Sequence, residues 1–398
     1  VGTERDVWAA KLQTTKGPAV RVWEFDRVNE TFFQVDMIIV NGTFFAHPKL
    51  FNKGESDVTA YWWTCVGMQL KANNQNCKPS PGNRGTRVLT PATYDVGDSL
   101  HATPWPMFPN TTGGDPVDRS WLDTWIQGGD NFLRIYKPEE PFVAVVDRYV
   151  FGEAVGLYHG HPLNGTKFWT GGSDRGSQRW YFWEDAPASP NGDGTNGGGC
   201  GDCGCFFEPQ VGNGPTQARG GSHPFTPNGK LNAHSSQEWT EYWRTMDTLS
   251  SADSTLYGAN TGAVAAVRGW ASADPTISKS ARQDMEAFLQ KLADQPVAKE
   301  DLLHVGHPYG ALHAQLLKGT GTQTPKSMHF HVDPKYEDEV RPWQDLLRDG
   351  TFSAATLARP VPLSYMVTPK WDDLLERSAA EHGETWLHLL YQSAIAAE

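Results

Sequence analysis

The stretch that decides the fold is residues 19–40, AVRVWEFDRVNETFFQVDMIIV. It contains two strand-length runs, 19–25 and 31–40, that are rich in β-branched and aromatic residues and that alternate or stay apolar. Similar runs lie at 59–70, 87–91, 132–136 and 142–152, bounded by Gly, Pro, Asn and Asp. Short strands between turn residues are typical of antiparallel sheets rather than of alternating strands and helices. The first 270 or so residues therefore predict a mainly β fold, either a sandwich or a barrel.

The composition agrees with this fold class and argues against two kinds of partner. The 398 residues include 40 Gly, 27 Pro and 16 Trp, which favours many turns over a helical bundle. The net charge is −12 without a basic stripe, so we expect no nucleic-acid partner, because phosphate binding needs clustered Lys and Arg. No apolar run approaches the roughly 20 residues that span a bilayer, so we expect no membrane segment.

Helical spacing replaces the strand pattern after about residue 275. We predict a helix near 280–294 and a short helix that ends at Gly350. We also predict two helices in 369–398 that part at Gly383. The side chains expected on the buried faces are Met285, Phe288, Leu289, Leu292, Trp371, Leu374, Leu375, Trp386, Leu389 and Leu390.

These patterns divide the chain into three parts. The predicted β domain that carries the site covers 1–275. A mixed segment that completes the sandwich covers 276–365, and a helical tail covers 366–398.

Two glutamates beside aromatic residues are the candidate catalytic groups. Glu208 lies between FF and PQVG, and desolvation in such surroundings raises a carboxyl pKa, which suits a general acid. Glu241 lies in EWTEYW, next to Trp239 and Tyr242. Two carboxylates across a cleft are the minimum for glycoside hydrolysis. The alternative is that each glutamate is a surface or salt-bridged residue of a strand.

Aromatic side chains are the candidate sugar-stacking groups, because apolar faces of sugar rings pack on Trp and Tyr. Alternation along a strand cannot place every ring of AYWWT or RWYFW on one face. Some rings must therefore leave the core, although about half of them can be plain core residues. The predicted substrate-binding set consists of Tyr61, Trp62, Trp63, Trp169 and Trp239 for stacking, with His159, Gln210 and Gln217 for hydroxyl groups.

Histidines with i, i+2 spacing form two pairs, His159 with His161 and His329 with His331. In a strand this spacing puts both side chains on one face, which suits metal ligation or contacts with substrate hydroxyls. Two such pairs could also form one metal site. The alternative is local hydrogen bonding at strand edges.

The cysteines of a Gly-rich loop, Cys200, Cys203 and Cys205, have C-x-x-C-x-C spacing. With one more Cys or His they would make a tetrahedral zinc site. Disulfides within the cluster or with Cys65 or Cys77 are the alternative, and free thiols are a third. We expect no required cofactor, and a structural zinc or calcium ion stays open.

Localisation depends on two opposing signals. Glycosylation sequons at Asn29, Asn41, Asn110 and Asn164 favour a secreted or extracellular protein. The odd number of cysteines, five, weakly opposes it and leaves a cytoplasmic protein as the alternative. The sequence leaves the oligomeric state open.

Several stretches resemble a β-supersandwich family related to galactose mutarotases, whose domain often precedes tetratricopeptide repeats. The matching pieces are AYWWTCVGMQL with RVLTP, VVDRYVFGEAVGLYHGHPLNGTKFWTGG, FFEPQVGNGPTQ with EWTEYW, and ARPVPLSYMVTPKWDDLLERS. The resemblance implies a large antiparallel β-supersandwich with a C-terminal helical segment and a sugar ligand. By position it matches Glu208, Gln217 and Glu241 to the family's polar residues. The chain departs from the pattern in its Cys-bearing loop and in a helical tail that stops before a full repeat.

These observations together favour a carbohydrate-active enzyme. The leading hypothesis is a glycoside hydrolase with Glu208 as general acid and Glu241 as base or nucleophile. The first alternative is a mutarotase-like epimerase or a polysaccharide lyase with His159 or Tyr158 as base. The second is a non-catalytic carbohydrate-binding module.

Overall fold

A computed structural model gives the architecture. It describes residues 6–59, 62–66, 68–70, 86–96, 102–110, 113–121, 124, 129–134, 142–147, 154–159, 165–170, 205–212, 230–245, 255–318, 323–362 and 364–397. At positions 59, 65, 68–70, 86, 96, 102, 129–134, 147, 154–159, 165–170, 205–209 and 211–212 it describes the backbone alone.

Strands dominate the described chain up to residue 245. They are β1 (Trp8–Thr14), β2 (Gly17–Asp26), β3 (Thr31–Val40), β4 (Thr43–Asn52), β5 (Val58–Thr59), β6 (Trp63–Cys65), β7 (Met68–Leu70), β8 (Thr86–Leu89), β9 (Tyr94–Val96), β10 (Ala102–Pro104), β11 (Met107–Phe108), β12 (Val117–Asp118), β13 (Gly129–Arg134), β14 (Phe142–Asp147), β15 (Ala154–His159), β16 (Gly165–Thr170), β17 (Cys205–Gly212), β18 (Lys230–Leu231), β19 (Ser236–Glu238), β20 (Glu241–Thr245) and, much later, β21 (Leu302–His304).

Two sheets hold most of these strands, and every pairing within them is antiparallel. The large sheet has the order β21-β1-β2-β3-β4-β20-β15-β14-β8, with β19 also paired to β4. The second sheet has the order β10-β9-β13-β16-β17-β6, with β7 also paired to β17. The short pairs β11-β12 and β18-β5 complete the described strands.

The first four strands form a meander whose register is set by its turns. Between β3 and β4, Asn41 and Gly42 have φ values of 49° and 74°, and Val40 pairs with Thr43. Two successive left-handed residues in a two-residue loop are the geometry that Asn-Gly favours, because its twist matches that of the strands. The turn therefore fixes which side chains of β3 and β4 face each side of the sheet.

Helices follow residue 259. They are α1 (Asn260–Ala273), α2 (Lys279–Ala293), α3 (Tyr309–Leu316), α4 (Glu337–Asp349), α5 (Ala354–Leu357), α6 (Pro369–His382) and α7 (Trp386–Ala396), with 3-10 turns at Lys299–Asp301 and Pro334–Tyr336. The predicted fold class, mainly β with a large antiparallel sheet and C-terminal helices, is confirmed. The predicted helices near 280–294, before Gly350 and on both sides of Gly383 are confirmed as α2, α4, α6 and α7.

Two predictions about the helices were wrong. The helix α1 lies within the segment interpreted as strands up to about residue 270. In α7 the expected inward residues Trp386, Leu389 and Leu390 are exposed by 43, 52 and 41 %. The buried side chains are instead those of Leu387, His388 and Tyr391.

The face of α7 is set by polar contacts that apolar spacing does not reveal. The His388 ring bonds to Thr385 at the start of the helix and to Ser378 of α6, at 2.8 and 3.0 Å. Tyr391 packs on Trp343 of α4 with ring centroids 4.3 Å apart. These contacts rotate the Leu389 side of the helix to the surface.

The helices pack on one face of the large sheet, which we call the back face. Trp8, Trp23, Phe32, Phe45 and Tyr242 belong to the large apolar core on this side, together with buried residues of α1 to α4 and of the tail helices. The back face also carries the buried guanidinium of Arg21 on β2.

The opposite face of the large sheet, the front face, carries a smaller core. Its buried residues are Leu50, Val88, Ala92, Trp105, Val143, Val145, Leu231 and Trp239, with Phe33, Val58, Trp62, Phe108 and Trp243 packed partly buried against them. Trp62 precedes β6 of the second sheet, so this core lies where the second sheet approaches the first.

Candidate functional site

One carboxyl group, that of Glu241, lies on the front face at the middle of the large sheet. Glu241 begins β20, which is inserted between β4 and β15. It pairs with Ala46 on one side and with the backbone position of His159 on the other. The register thus brings two of the sequence-predicted site residues, Glu241 and His159, to directly opposite strand positions.

The Glu241 carboxylate is held by two donors on one of its oxygens. The indole N–H of Trp239 donates to Oε1 at 2.8 Å, and the Thr64 hydroxyl donates to the same oxygen at 2.8 Å. The indole N–H of Trp62 in turn donates to the Thr64 hydroxyl at 3.0 Å. Within the described residues, Oε2 is buried and has no hydrogen-bond partner.

Burial shifts Glu241 towards the neutral acid. The side chain has no exposed surface. Loss of hydration raises its pKa to about 7, and the hydrogen bonds from Trp239 and Thr64 oppose only part of that rise. A carboxyl group with this pKa can give and take a proton near neutral pH.

Charged neighbours of Glu241 lie on the back face. His47 and Lys49 both contact Glu238 there, with Lys49 Nζ 2.8 Å and His47 Nε2 3.4 Å from its carboxylate. His47 also bonds to Thr240, whose position alternates with that of Glu241. The proton affinity of Glu241 is therefore governed by burial and by its two neutral donors.

The positions of the two tryptophans follow a simple local rule. Trp239 precedes Glu241 by two residues, and Trp62 precedes Thr64 by two residues, so each indole can bond the polar group two positions on. The Trp-x-Glu spacing was visible in the sequence and marked Glu241. Thr64 was not among the predicted site residues, although Trp-x-Thr was an equivalent signal.

The second sheet holds another group of predicted site residues. On its strands the backbone position of Trp169 pairs with that of Glu208, and Gln210 pairs with Cys65. Gln210 is buried, with 5 % of its surface exposed. Val211, its neighbour, pairs with Thr64, so pleat alternation puts Gln210 on the side of this sheet opposite to Thr64. Glu208 lies two positions before Gln210 on the same strand.

The stacking residues differ in how much surface they offer. Trp239 was expected to stack on sugar, but it is fully buried and its indole is used to hold Glu241. Trp62 is half-buried, with its ring centroid 5.6 Å from that of Phe33 and 6.1 Å from that of Trp239. Trp63 is half-buried as well. Tyr61 and Gln217 lie outside the described residues.

The candidate metal ligands fall into separate places. The His329 carbonyl accepts a bond from Trp23 of β2, and the His331 ring lies 4.8 Å from that of Trp8 of β1. The position of His159 is on β15, four strands from β2. At about 4.8 Å per strand, that spacing separates the position of His159 from His329 and His331 by far more than a shared metal site spans. His161 lies outside the described residues.

The cysteines are only partly within the described chain. Cys200, Cys203 and Cys77 lie outside it. Cys205 begins β17, and Cys65 pairs with Gln210, five positions further along that strand. A rise of roughly 3.3 Å per residue separates Cys65 and Cys205 by far more than a disulfide can bridge, so that pairing is excluded. Among the described residues, no three His, Cys, Asp or Glu side chains form a group that could hold a metal ion.

Comparisons with known proteins find structural neighbours at low identity. No protein-family model and no curated protein sequence matches the chain. A TPR-domain-containing protein from Parabacteroides distasonis is 14 % identical, with a TM-score of 0.39, over 62 % of this chain and 36 % of that one.

Two other neighbours are related to sugar epimerases by description. One is a putative aldose 1-epimerase from Escherichia coli K12, 11 % identical, with a TM-score of 0.37 over 60 % of this chain and 68 % of that one. The other is a galactose mutarotase related enzyme from Lactobacillus acidophilus, 7 % identical, with a TM-score of 0.39 over 61 and 71 %. Overlaps of this size do not decide the function, which has to rest on the residues of the site.

In the part of the chain that the structure describes, no helix has the length and apolar character needed to cross a bilayer.

Proposed function

We propose that the protein is a carbohydrate-active enzyme in which Glu241 transfers a proton to or from a sugar oxygen. The observation that carries the proposal is a fully buried carboxyl group with a pKa of about 7 and one oxygen without a partner among the described residues. Most buried polar atoms are bonded, so a carboxyl group with two donors on one oxygen, none on the other and a pKa near neutrality is a candidate reactive group. The substrate class comes from the resemblance to mutarotase-like sequences and from the half-buried Trp62 and Trp243 beside the site.

The raised pKa favours reversible proton transfer over nucleophilic attack. A glycosidase nucleophile must be ionised, and a neutral Glu241 fits that role poorly. Opening and closing of an aldose ring requires a proton to leave one oxygen and to reach another. A group with a pKa near neutrality performs both steps well. We therefore place an aldose epimerase or mutarotase reaction first.

Glycoside hydrolysis is the second candidate, with neutral Glu241 as the general acid instead of the base or nucleophile that the sequence suggested. The second carboxyl group would have to come from a residue other than Glu208, whose strand position has the alternation of Gln210, on the side of the second sheet away from Thr64. The specific observation in its favour is again the raised pKa of Glu241.

Access to the site sets a condition on either reaction. Because Glu241 has no exposed surface, a sugar can reach Oε2 only after a covering side chain moves. Trp62 and Trp243 are the half-buried aromatic residues that flank it on the front face. Their displacement would expose a ring for stacking and the carboxyl group together.

Polarimetry with freshly dissolved α-anomers of common aldoses tests the first candidate. The wild type should accelerate mutarotation over buffer, and Glu241→Gln should lose at least about 100-fold of that acceleration. Glu300→Gln, a change of an exposed residue, is the matched control and should keep full activity.

Aryl glycosides test the second candidate with the same proteins. Hydrolysis that is lost in Glu241→Gln and kept in Glu208→Gln would establish the hydrolase instead. Saturable sugar binding without any turnover would contradict both enzymes and support a binding module.

A further inference from the structure

The hydrogen bonds around Glu241 have only one possible direction. An indole nitrogen is a donor and never an acceptor, so Trp62 must donate to the Thr64 oxygen. The hydroxyl has a single hydrogen, which is then left for Glu241 Oε1. Trp239 adds a second hydrogen to the same oxygen. In the series of hydrogen bonds from Trp62 through Thr64 to Glu241, each donor therefore points towards the carboxyl group.

This direction distinguishes the two carboxyl oxygens. Oε1 faces two hydrogens, so a proton on it would be repelled by both donors. Oε2 has no partner in the described chain and is the oxygen that carries the proton of the neutral acid. The carboxyl group thus has one bound oxygen and one free oxygen, and the free one is available for proton transfer.

Thr64 and Trp239 reach Glu241 from different parts of the protein. Trp239 lies two residues away on the same chain segment, whereas Thr64 belongs to β6 in the second sheet and is 177 residues distant. The tryptophan bond alone leaves the carboxyl group free to rotate about that single contact. The threonine bond fixes it against the second sheet.

No described charge competes with these two bonds. On the front face, β4 presents Ala46 and Phe44 beside Glu241, and β6 presents Thr64, none of which titrates. His47 and Lys49 lie on the back face, where both contact Glu238. On β15 the titratable position opposite Glu241 is that of His159.

We propose that Thr64 is the positioning residue of this site: it locks Oε1 of Glu241 to the second sheet and leaves Oε2 as the only oxygen that exchanges a proton. The part of this inference that concerns the reaction rests on the proposed function. The part that concerns the carboxyl group does not, because it follows from the hydrogen bonds alone.

Infrared titration of the protonated carboxyl band tests the inference without any substrate, with Glu241→Gln identifying the band. Thr64→Val keeps the shape of the side chain and removes the donor that favours the ionised form. The pKa of Glu241 should rise by about one unit, a tenfold change in proton affinity, and the band should shift because one bond is lost. Thr64→Ser should restore both.

Two further variants keep the result interpretable. Thr93→Val, at an exposed position, is the control and should leave the band and its titration unchanged. Trp62→Phe removes only the first donor of this series of hydrogen bonds and should shift the band less than Thr64→Val does. It replaces Thr64→Val if that variant does not fold.

The outcomes separate the positioning role from the proposed function. An unchanged band and titration in both Thr64→Val and Trp62→Phe would overturn the inference. A shifted band in a protein without sugar chemistry would uphold the inference and contradict the proposed function. In an active protein, the basic limb of the kcat profile should move with the infrared pKa, whereas KM should stay near that of the wild type.

Discussion

The two faces of the large sheet differ in how completely a buried ionisable side chain is hydrogen-bonded. On the back face, all five N–H groups of Arg21 are bonded: to both oxygens of Asp36 and to the carbonyls of Leu292, Gln295 and Ser327. On the front face, Glu241 has two donors on one oxygen and none on the other. Both side chains are completely buried.

This difference separates a structural role for Arg21 from a candidate reactive role for Glu241. Leu292 lies in the last turn of α2 and Gln295 two residues beyond it, where the negative end of the helix dipole favours a cation. Arg21 therefore attaches that helix end to the sheet. Gln34 and Lys49 act in the same way through Ala293 and Asp294. The Arg21 network on the back face satisfies every donor of its guanidinium and stabilises the fold, whereas on the front face Oε2 of Glu241 has no partner among the described residues.

The largest expected effect comes from removing Arg21 from the hydrogen-bonded network of the back face. Arg21→Met leaves Asp36 as a buried charge without its partner and removes the donor from three carbonyls. We expect it to lower the free energy of unfolding by about 3–5 kcal/mol in urea denaturation. The infrared titration of Glu241 should not change, because the two groups lie on opposite faces.

A double variant is the control for this prediction. Arg21→Met with Asp36→Leu removes both charges, so it should lose less stability than Arg21→Met alone. A single variant as stable as the wild type would show that the back-face network does not hold α2 in place.

The next effect concerns Glu241 on the front face and depends on pH. Because the pKa of Glu241 rises from 4.5 to about 7 on folding, the folded state binds the proton more tightly than the unfolded state. Stability is therefore highest below pH 4.5 with respect to this group, and it is lost as the pH rises through about 7. The difference amounts to roughly 3 kcal/mol.

Glu241→Gln measures this term directly. The variant lacks the titration, so its unfolding free energy relative to the wild type should rise by roughly 3 kcal/mol between pH 4 and pH 8.5, and then level off. Thermal or urea unfolding across this range is the measurement. A parallel pH dependence in the two proteins would mean that Glu241 does not titrate in this window.

The smallest effect concerns Glu238 on the back face, whose pKa is lowered on folding whereas that of Glu241 is raised. Burial works against the charge of both Lys49 and Glu238, but the hydrogen bonds of Lys49 to Asp294 and Glu238 raise its pKa, and those of Glu238 to His47 and Lys49 lower the pKa of that carboxyl. Lys49→Met should cost about 1 kcal/mol at neutral pH. The cost should shrink as the pH falls below the ordinary carboxyl range, since Glu238 is then protonated in both states. A cost that grows at acid pH would contradict this assignment.

Local patterns carried most of the predictable fold. Alternation predicted β2 and β3, and apolar spacing predicted α2, because one face of each element is buried and the period shows on the sequence. The position of β20 between β4 and β15 was not predictable, since it depends on pairing between segments that are far apart. The buried face of α7 was missed because His388, a polar residue, determines it through side-chain bonds.

The site residues also differ in how far the sequence predicts them, according to whether their contacts are local or long-range. Glu241 could be identified because Trp239 lies two residues before it, a spacing that is visible in the sequence. Thr64 was missed although Trp62 precedes it with the same spacing, because its contact with Glu241 forms only after the two sheets meet. A threonine is common in strands, so this spacing alone does not identify it as a donor to a buried acid.

The inserted position of β20 also has a consequence for how the protein is made. Strands β1 to β4 are consecutive hairpins and can pair as soon as they leave the ribosome. They can join β15, β14 and β8 only when β20 has been synthesised and has entered the gap. Until then β4 and β15 both have an open edge, which is a place for wrong pairing. The acid of the site arrives on the strand that closes these edges, so a nascent chain acquires its candidate reactive group only when its large sheet becomes continuous.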